Sequence, residues 1–259
     1  MQAIAREMNL AETVFVQRPT SNRALARLRI FTTTRELPLA GHPVIGTWFL
    51  LAELGVVPAS EGQVQIQQQT GAGILPVKIT FRNGRPVGVT MTQKDARFKT
   101  LKLSRDALAD ALGLAKDDIS SELPIESVST GIFNVMVPLR GKATLKKIRS
   151  NLRALFHVVS GHGTMAYCFA LGGRGKAFAR GMLPWEIIED PATGSAGGSL
   201  GAYLVRYNKL KIGEHLSITQ GVEMGRPSEI HVEIAGEKGK LVPRVSGSAV
   251  RIFEGHIDF

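Results

Sequence analysis

The stretch EIIEDPATGSAGGSLGAYLV, residues 186–205, runs from an acidic-Pro turn through small residues into an apolar segment. An earlier stretch, RELPLAGHPVIGTWFLLAEL, residues 35–54, follows the same order. The two align on Gly41 and Gly194, which lie 153 residues apart, far more than the period of a solenoid repeat. The pattern therefore predicts two similar halves, each containing a strand, an acidic-Pro turn and a helix.

The same alignment extends to other positions of the two copies. Glu36 falls on Glu189, and the upstream pair at residues 26–27 falls on the Ala-Arg pair at residues 179–180 at the same offset. His42 falls on Ser195. We therefore expect the offset of 153 residues to hold for all equivalent positions of the two copies, from the strand to the helix.

Small residues stand where each predicted helix begins. They are Ala40 and Gly41 in the first copy and residues 194–198 in the second. Unpaired N–H groups and the helix dipole favour anions at such a terminus, and small residues let a ligand approach the backbone closely. We expect the main contact of a substrate carboxylate at Gly194, with Ser195 adding a hydroxyl donor.

The composition is ordinary for a globular protein: 259 residues, 44% hydrophobic and 21% charged. The N-terminal segment lacks the apolar core of a signal peptide, and no apolar run reaches membrane-spanning length. The one cysteine, Cys168, excludes a disulfide framework and a cysteine-rich zinc site. The six histidines lack metal-ligand spacing, so we expect no bound metal. The single cysteine and the absence of signal-peptide and membrane-spanning patterns favour a cytoplasmic protein that does not bind a membrane.

The net charge of +10 predicts attraction to small anions. The densest basic stretch contains Arg140, Lys142, Lys146, Lys147, Arg149 and Arg153. No aromatic residues alternate with these charges, as they do in a protein that binds single-stranded nucleic acid. We interpret the stretch as a solvated helix face and expect no nucleic-acid partner.

Strands outnumber helices in the pattern and few of them alternate with helices, which indicates an α+β fold. The segment at residues 43–54 is apolar nearly all round and predicts a buried helix, and residues 196–206 predict its counterpart. We also expect a basic helix at 143–152 and strands at 155–159 and 250–257. Asn83-Gly84 predicts a tight hairpin.

A glycine-rich string, SGHGTMA at residues 160–166, fits the spacing of a dinucleotide-binding turn. That function requires a helix directly after the turn. The residues that follow favour a strand, so we do not expect a nucleotide cofactor here.

Three titratable residues have both a structural and a catalytic interpretation. Glu12 precedes an apolar strand, where it is either a surface residue or an acid/base in a dry pocket. His42 stands at the mouth of the first repeat helix, either as an N-terminal cap or as a group that titrates near neutral pH. Asp190 precedes Pro191, where it either caps its turn or accepts a hydrogen bond from a substrate amine or hydroxyl.

Four strings of this sequence together resemble the phenazine-biosynthesis PhzF-like family: REMNLAETVFV, LRIFTTTRELPLAGHPVIGT, EDPATGSAGGSLGAYLV and QGVEMGRPS. They occur in the family's order from residue 6 to residue 228 and so cover almost the whole chain. The combination of ELPxAGHP with EDPATGSA is highly specific for the family. The resemblance implies a diaminopimelate-epimerase-like fold with two α+β halves. Each half is a mainly antiparallel sheet wrapped around a central helix, with the active site in the cleft between them.

The resemblance also implies a mechanism and a set of site residues. In the family, a glutamate of the Met-Asn-Leu-x-Glu string shuttles a proton during isomerisation of a dihydro-hydroxyanthranilate, and Glu12 occupies that position. The substrate-binding positions fall on His42, Asp190, Ser195 and the adjacent glycines. We therefore expect a cofactor-free isomerase of a small carboxylated substrate, acting as a homodimer.

Two relatives with this fold, diaminopimelate epimerase and the proline racemases, use paired cysteines instead. In the repeat alignment their thiols fall at Ala40 and Thr193, so a two-thiol racemase is excluded by residue identity. Cys168 lies elsewhere, on a predicted strand, as a buried small residue.

Members of the family normally begin with a strand and a Gly-Asn-Pro turn ahead of the first helix, whereas this sequence begins at that helix. We expect a first half at 1–97, completed by a C-terminal strand at 250–259, and a second half at 98–249. The alternative is a catalytically silent PhzF-like binding or scaffold protein truncated at its N-terminus.

Overall fold

The computed structural model describes residues 1–186 and 188–256, apart from the side chain of residue 237. The chain forms two compact units, one of residues 1–92 and 246–259 and the other of residues 93–245. No helix in the described part of the chain is long and apolar enough to cross a membrane.

The first unit consists, over its described residues, of α1 (Gln2–Met8), β1 (Thr13–Gln17), β2 (Ala26–Phe31), β3 (Glu36–Leu37), α2 (Gly41–Glu53), β4 (Gly62–Thr70), β5 (Gly73–Arg82) and β6 (Arg85–Thr92). Its strands lie in the order β1-β2-β4-β5-β6, with β3 beside β2. The β2–β4 pair is parallel and the other pairs are antiparallel. Asn83 and Gly84 turn the chain from β5 to β6 at positive φ, as the hairpin prediction required.

Helix α2 is the core of the first unit. Val44 and Trp48 have no exposed surface, and they pack with sheet residues such as Leu28 and Ile79. Trp48 Nε1 donates a hydrogen bond of 2.8 Å to Oε1 of Gln68, so the indole N–H keeps a partner inside the core. The buried helix predicted from its apolar composition is confirmed, and it begins at Gly41.

The second unit consists, over its described residues, of β7 (Arg97–Thr100), α3 (Arg105–Leu112), β8 (Glu126–Ser129), β9 (Phe133–Pro138), α4 (Lys142–Lys147), α5 (Leu152–Val159), β10 (Ala166–Leu171), β11 (Lys176–Leu183), β12 (Ile188–Asp190), α6 (Gly194–Arg206), β13 (His215–Gln220), β14 (Ser228–Glu237) and β15 (Lys240–Gly247). The strand order is β15-β14-β13-β11-β10-β9-β8-β7, with β12 beside β11. The β9–β10 and β11–β13 pairs are parallel, whereas β7–β8, β8–β9, β10–β11, β11–β12 and β13–β14 are antiparallel.

Successive residues of β10 alternate between two hydrophobic clusters. Tyr167 and Phe169 pack with α6 on one face of the sheet. Ala166, Cys168 and Ala170 pack with α3, α4 and α5 on the other face. Because strand side chains point alternately to opposite faces, a strand covered on both sides becomes a continuous apolar run. The second unit therefore has α6 in one layer and three shorter helices in another.

Residues 155–159, predicted as a strand, are helical and belong to α5. Asn151 begins this helix by accepting a hydrogen bond of 3.0 Å at Oδ1 from the N–H of Ala154. Leu155 and Val159, one turn apart, are its buried residues. The branched and aromatic residues suggested a strand, but the cap and the one-sided burial favour a helix.

Two other predicted elements also differ from the structure. The basic helix predicted at 143–152 ends at Lys147, because the chain turns at Ile148 before the Asn151 cap starts a new helix. The C-terminal strand predicted within 250–259 is wrong over residues 250–256, which form no strand. Its last three residues lie outside the described part of the chain.

The turns that join β2 to β3 and β11 to β12 differ in length, which the constant offset did not predict. Glu36 lies opposite Phe31 in the β2–β3 pair, and Glu189 lies opposite Met182 in the β11–β12 pair. The segment joining the strands of the second hairpin is therefore two residues longer. The repeat alignment is right from the acidic residue onward and is wrong for the strand before it.

An arginine clamps the acidic residue in each hairpin. Arg29 donates two hydrogen bonds of 2.8 and 2.6 Å to Glu36, and Arg180 donates two of 2.8 and 2.7 Å to Glu189. Bidentate arginine–carboxylate pairs of this kind fix geometry as well as adding energy. Arg29, and not Arg27, is therefore the structural counterpart of Arg180.

Candidate active site

Glu12 and His42, distant in sequence, lie side by side in the first unit. Glu12 Oε2 is buried from solvent and lies 3.1 Å from Nε2 of His42. The Glu12 side chain is 17% exposed and that of His42 is 40% exposed. The two atoms are within ion-pair distance, although no described donor meets hydrogen-bond geometry at Oε2. A partly desolvated carboxylate beside an imidazole can exchange a proton with a bound molecule.

Local structure explains why these two side chains meet. Asn9 ends α1 in the left-handed conformation, with φ of 50°, and turns the chain so that Glu12 directly precedes β1. His42 is the second residue of α2, whose cap residue is Ala40. The capping interpretation of His42 is therefore wrong, since the imidazole stands inside the first turn.

Asp190 ends β12, and both of its carboxylate oxygens accept hydrogen bonds from the chain. Oδ1 accepts from the N–H of Ala192 at 3.1 Å, and Oδ2 accepts from Oγ1 of Thr193 at 2.7 Å. Asp190 therefore does cap its turn, as one of the two interpretations held. Each carboxylate oxygen has a second lone pair, so this role leaves room for a further donor.

Gln220, at the end of β13, holds this loop from within the core. Its Nε2 donates to the carbonyl oxygen of Asp190 at 2.7 Å and to Oγ1 of Thr193 at 2.9 Å. Its Oε1 accepts from the hydroxyl of Tyr167 at 2.8 Å and from the N–H of Thr193 at 3.2 Å. No sequence pattern singled out Gln220, although it opens the string QGVEMGRPS.

Two side chains also contact carbonyl oxygens in the first turn of α6. Gln93 Nε2 donates to the carbonyl oxygen of Gly194 at 2.9 Å. Thr130 Oγ1 lies 2.6 Å from Oε1 of Gln93 and 3.2 Å from the carbonyl oxygen of Ser195. The first N–H groups of a helix have no intrahelical acceptor, so those of Gly194 and Ser195 have no partner within α6.

The glycines that follow in α6 allow side chains of other elements to pack closely against the helix. A Cβ on Gly197 would lie 3.2 Å from Cγ2 of Ile230, and one on Gly198 would collide with Oε1 of Gln93. Both glycines are buried. The expectation that they leave the backbone open to a ligand is wrong. Gly194 is buried as well, and of residues 194–198 Ser195 is the one that keeps partial exposure.

Burial also determines the chemistry of two residues near this loop. Burial, followed by the negative charge of Asp190, raises the pKa of the Tyr167 hydroxyl above its ordinary value. Burial raises the pKa of the Cys168 thiol to about 12. A neutral, fully buried thiol is a poor nucleophile, so Cys168 acts as a small core residue.

The alternative sites considered from the sequence are absent from the described part of the chain. The glycine-rich string at 160–166 follows helix α5 and leads into strand β10, the reverse of a dinucleotide-binding turn. Among the described residues, no group of three or more His, Cys, Asp or Glu is arranged to hold a metal ion.

Comparison with known proteins agrees with the fold. The family model described as phenazine biosynthesis-like protein (PhzC-PhzF) matches residues 1–255. The trans-2,3-dihydro-3-hydroxyanthranilate isomerase of Pseudomonas aeruginosa is 36% identical over 257 residues, which span 98% of this chain and 87% of that protein.

Solved structures show the same fold. A phenazine biosynthesis protein of the PhzF family from Bacillus anthracis superposes with a TM-score of 0.89 at 29% identity, covering 99% of this chain and 88% of that one. A probable proline racemase from Agrobacterium radiobacter gives a TM-score of 0.70 at 17% identity, covering 99% and 81% of the two chains. The predicted diaminopimelate-epimerase-like α+β fold is therefore confirmed, and the chain belongs to the phenazine biosynthesis-like PhzF family as an enzyme of the isomerase type.

Proposed function

We propose that this chain is a cofactor-free isomerase of a small carboxylated substrate similar to trans-2,3-dihydro-3-hydroxyanthranilate, with Glu12 as its acid/base. The observation that carries the proposal is the buried Oε2 of Glu12, 3.1 Å from Nε2 of His42. The name of the Pseudomonas aeruginosa relative supports the substrate class. The expected cytoplasmic location and homodimer remain predictions.

Glu12 is proposed to take a proton from one carbon of the substrate and return it to another. The C–H bond that breaks leaves its electrons in the conjugated system, and the C–H bond that forms removes them again, so no oxidant or second substrate is needed. One carboxylate can serve both steps if it is held in a site with little water. His42 is proposed to bind the substrate beside Glu12.

Asp190, Gly194 and Ser195 are proposed to bind the substrate. The N–H groups of Gly194 and Ser195 suit a carboxylate because the positive end of the α6 dipole lies there. The free lone pairs of Asp190 suit an amine or hydroxyl beside that carboxylate. Together they favour an acid that carries a donor on a neighbouring carbon.

A turnover assay tests this proposal. The purified protein is mixed with trans-2,3-dihydro-3-hydroxyanthranilate, and loss of the substrate is followed by ultraviolet absorbance and by NMR of the product. We expect catalytic turnover, with a bell-shaped dependence on pH that reports the acid/base groups. Tight binding without turnover would instead favour the catalytically silent binding protein, and neither binding nor turnover would exclude this substrate class.

A further inference from the structure

Gln220 has no exposed surface, and the hydrogen-bonding groups of its side chain are used by one loop and one tyrosine. A buried glutamine is costly unless its amide is satisfied, and here Nε2 and Oε1 each have two partners. Three of those four bonds go to Asp190 and Thr193. The side chain is therefore built to hold this loop in one conformation.

The direction of these bonds orients the hydroxyl of Thr193. Its oxygen accepts a hydrogen bond from Nε2 of Gln220 at 2.9 Å, because an amide nitrogen can only donate. Its own proton is then directed to Oδ2 of Asp190, 2.7 Å away. The carboxylate of Asp190 thus receives one donor on each oxygen, Thr193 on Oδ2 and Ala192 on Oδ1.

A second, independent observation concerns the start of α6. Thr193 is the N-cap residue of this helix, yet its side chain makes no capping hydrogen bond. A threonine at this position usually stabilises its helix by accepting from an N–H of the first turn. Here the Thr193 hydroxyl hydrogen-bonds to Asp190 instead, so it accepts no hydrogen bond from the first-turn N–H groups of α6.

We propose that Thr193 and Gln220 are positioning residues that determine specificity for acids carrying a neighbouring hydrogen-bond donor. They act in two ways: they orient the Asp190 carboxylate as an acceptor, and they leave the α6 terminus uncapped for the substrate carboxylate. The inference rests on the proposed function of Asp190 and of the α6 terminus. It adds the two residues through which that site discriminates between substrates.

Calorimetric binding of two probes tests the inference: benzoate, which has only the carboxylate, and 3-hydroxyanthranilate, which adds an amine and a hydroxyl. Wild type is expected to prefer 3-hydroxyanthranilate. Thr193→Val keeps the shape of the side chain and removes the hydroxyl, so we expect at least a tenfold loss for 3-hydroxyanthranilate with less than a threefold change for benzoate. Thr193→Ser should restore the preference. Thr144→Val, at another buried threonine, is the matched control and should change neither affinity.

Gln220→Glu provides a second route if Thr193→Val does not fold. A carboxylate cannot donate to Thr193, so the threonine proton can turn away from Asp190 and the preference should again fall. An unchanged preference in either folded variant, or an equal loss for both probes, would overturn the inference. If wild type binds neither probe, the proposed substrate class itself fails, and the inference fails with it.

Discussion

The chain contains the same arginine–carboxylate pair twice, once buried and once more exposed. The effect of burial on such a pair can therefore be compared within one protein. Arg180 and Glu189 have side chains 11% and 15% exposed, whereas Arg29 and Glu36 are 27% and 40% exposed. Arg180 also donates to the carbonyl oxygen of Leu145 at 2.8 Å. Removing one partner of a buried pair leaves an unpaired charge in the core, whereas an exposed pair is screened by water.

We predict that Glu189→Gln destabilises the protein strongly and that Glu36→Gln does not. Loss of one partner of a buried pair typically costs about 3–5 kcal/mol. The glutamine keeps one acceptor for Arg180, so we expect the lower end, about 3 kcal/mol. At about 2–4 °C for each kcal/mol in a chain of this size, the Tm should fall by roughly 6–12 °C.

Thermal and urea unfolding of the two variants beside wild type measures the difference. Circular dichroism follows the helices, and tryptophan fluorescence follows buried Trp48 in the first unit and exposed Trp185 in the second, so that non-coincident transitions of the two units can be recognised. The reasoning would be refuted if Glu36→Gln and Glu189→Gln shifted the unfolding midpoint equally, or if Glu189→Gln left it unchanged.

Two further predictions follow from buried titratable groups. Burial raises the pKa of Cys168 to about 12, so native protein at pH 8 should not react with a thiol reagent. Urea-unfolded protein should react fully. Rapid modification of the folded protein would contradict this prediction. Burial raises the pKa of Tyr167 and Tyr203, so the folded state keeps protons that the unfolded state releases near pH 10. The free energy of unfolding should therefore fall as the pH rises above about 10, and Tyr167→Phe should reduce that slope; an unchanged slope in urea titrations would be inconsistent with the assignment.

The elements that sequence reasoning located correctly have strong local signals. Helix α2 is apolar around its whole circumference, and the Asn83-Gly84 turn requires positive φ at both residues. Helices α2 and α6 each begin two residues before the predicted starts at 43 and 196, at the small residues after each acidic-Pro turn. Helix α5 was missed because its pattern of large apolar residues resembles a strand, and only the Asn151 cap distinguishes the two.

The residues of the candidate site came from two kinds of sequence signal, and their assignment stays a prediction. His42 and Asp190 stand beside Gly41 and Pro191, whereas Glu12 came from the family resemblance. The role of Gln220 and the bond from Arg180 to Leu145 were not predicted, because each joins residues 30 or more positions apart that only the fold brings together. The extra length of the second hairpin likewise shows only in the strand register.

The central claim is that Glu12 transfers the proton, and the most direct test compares Glu12→Gln with wild type on trans-2,3-dihydro-3-hydroxyanthranilate. Glutamine keeps the shape of the side chain but cannot carry the proton. We expect kcat to fall by at least about 100-fold, the lower range for loss of a general acid/base, while the substrate Kd changes little. Glu7→Gln, an exposed glutamate of α1, is the control and should retain full activity. Retention of most of the wild-type kcat by Glu12→Gln would contradict the account.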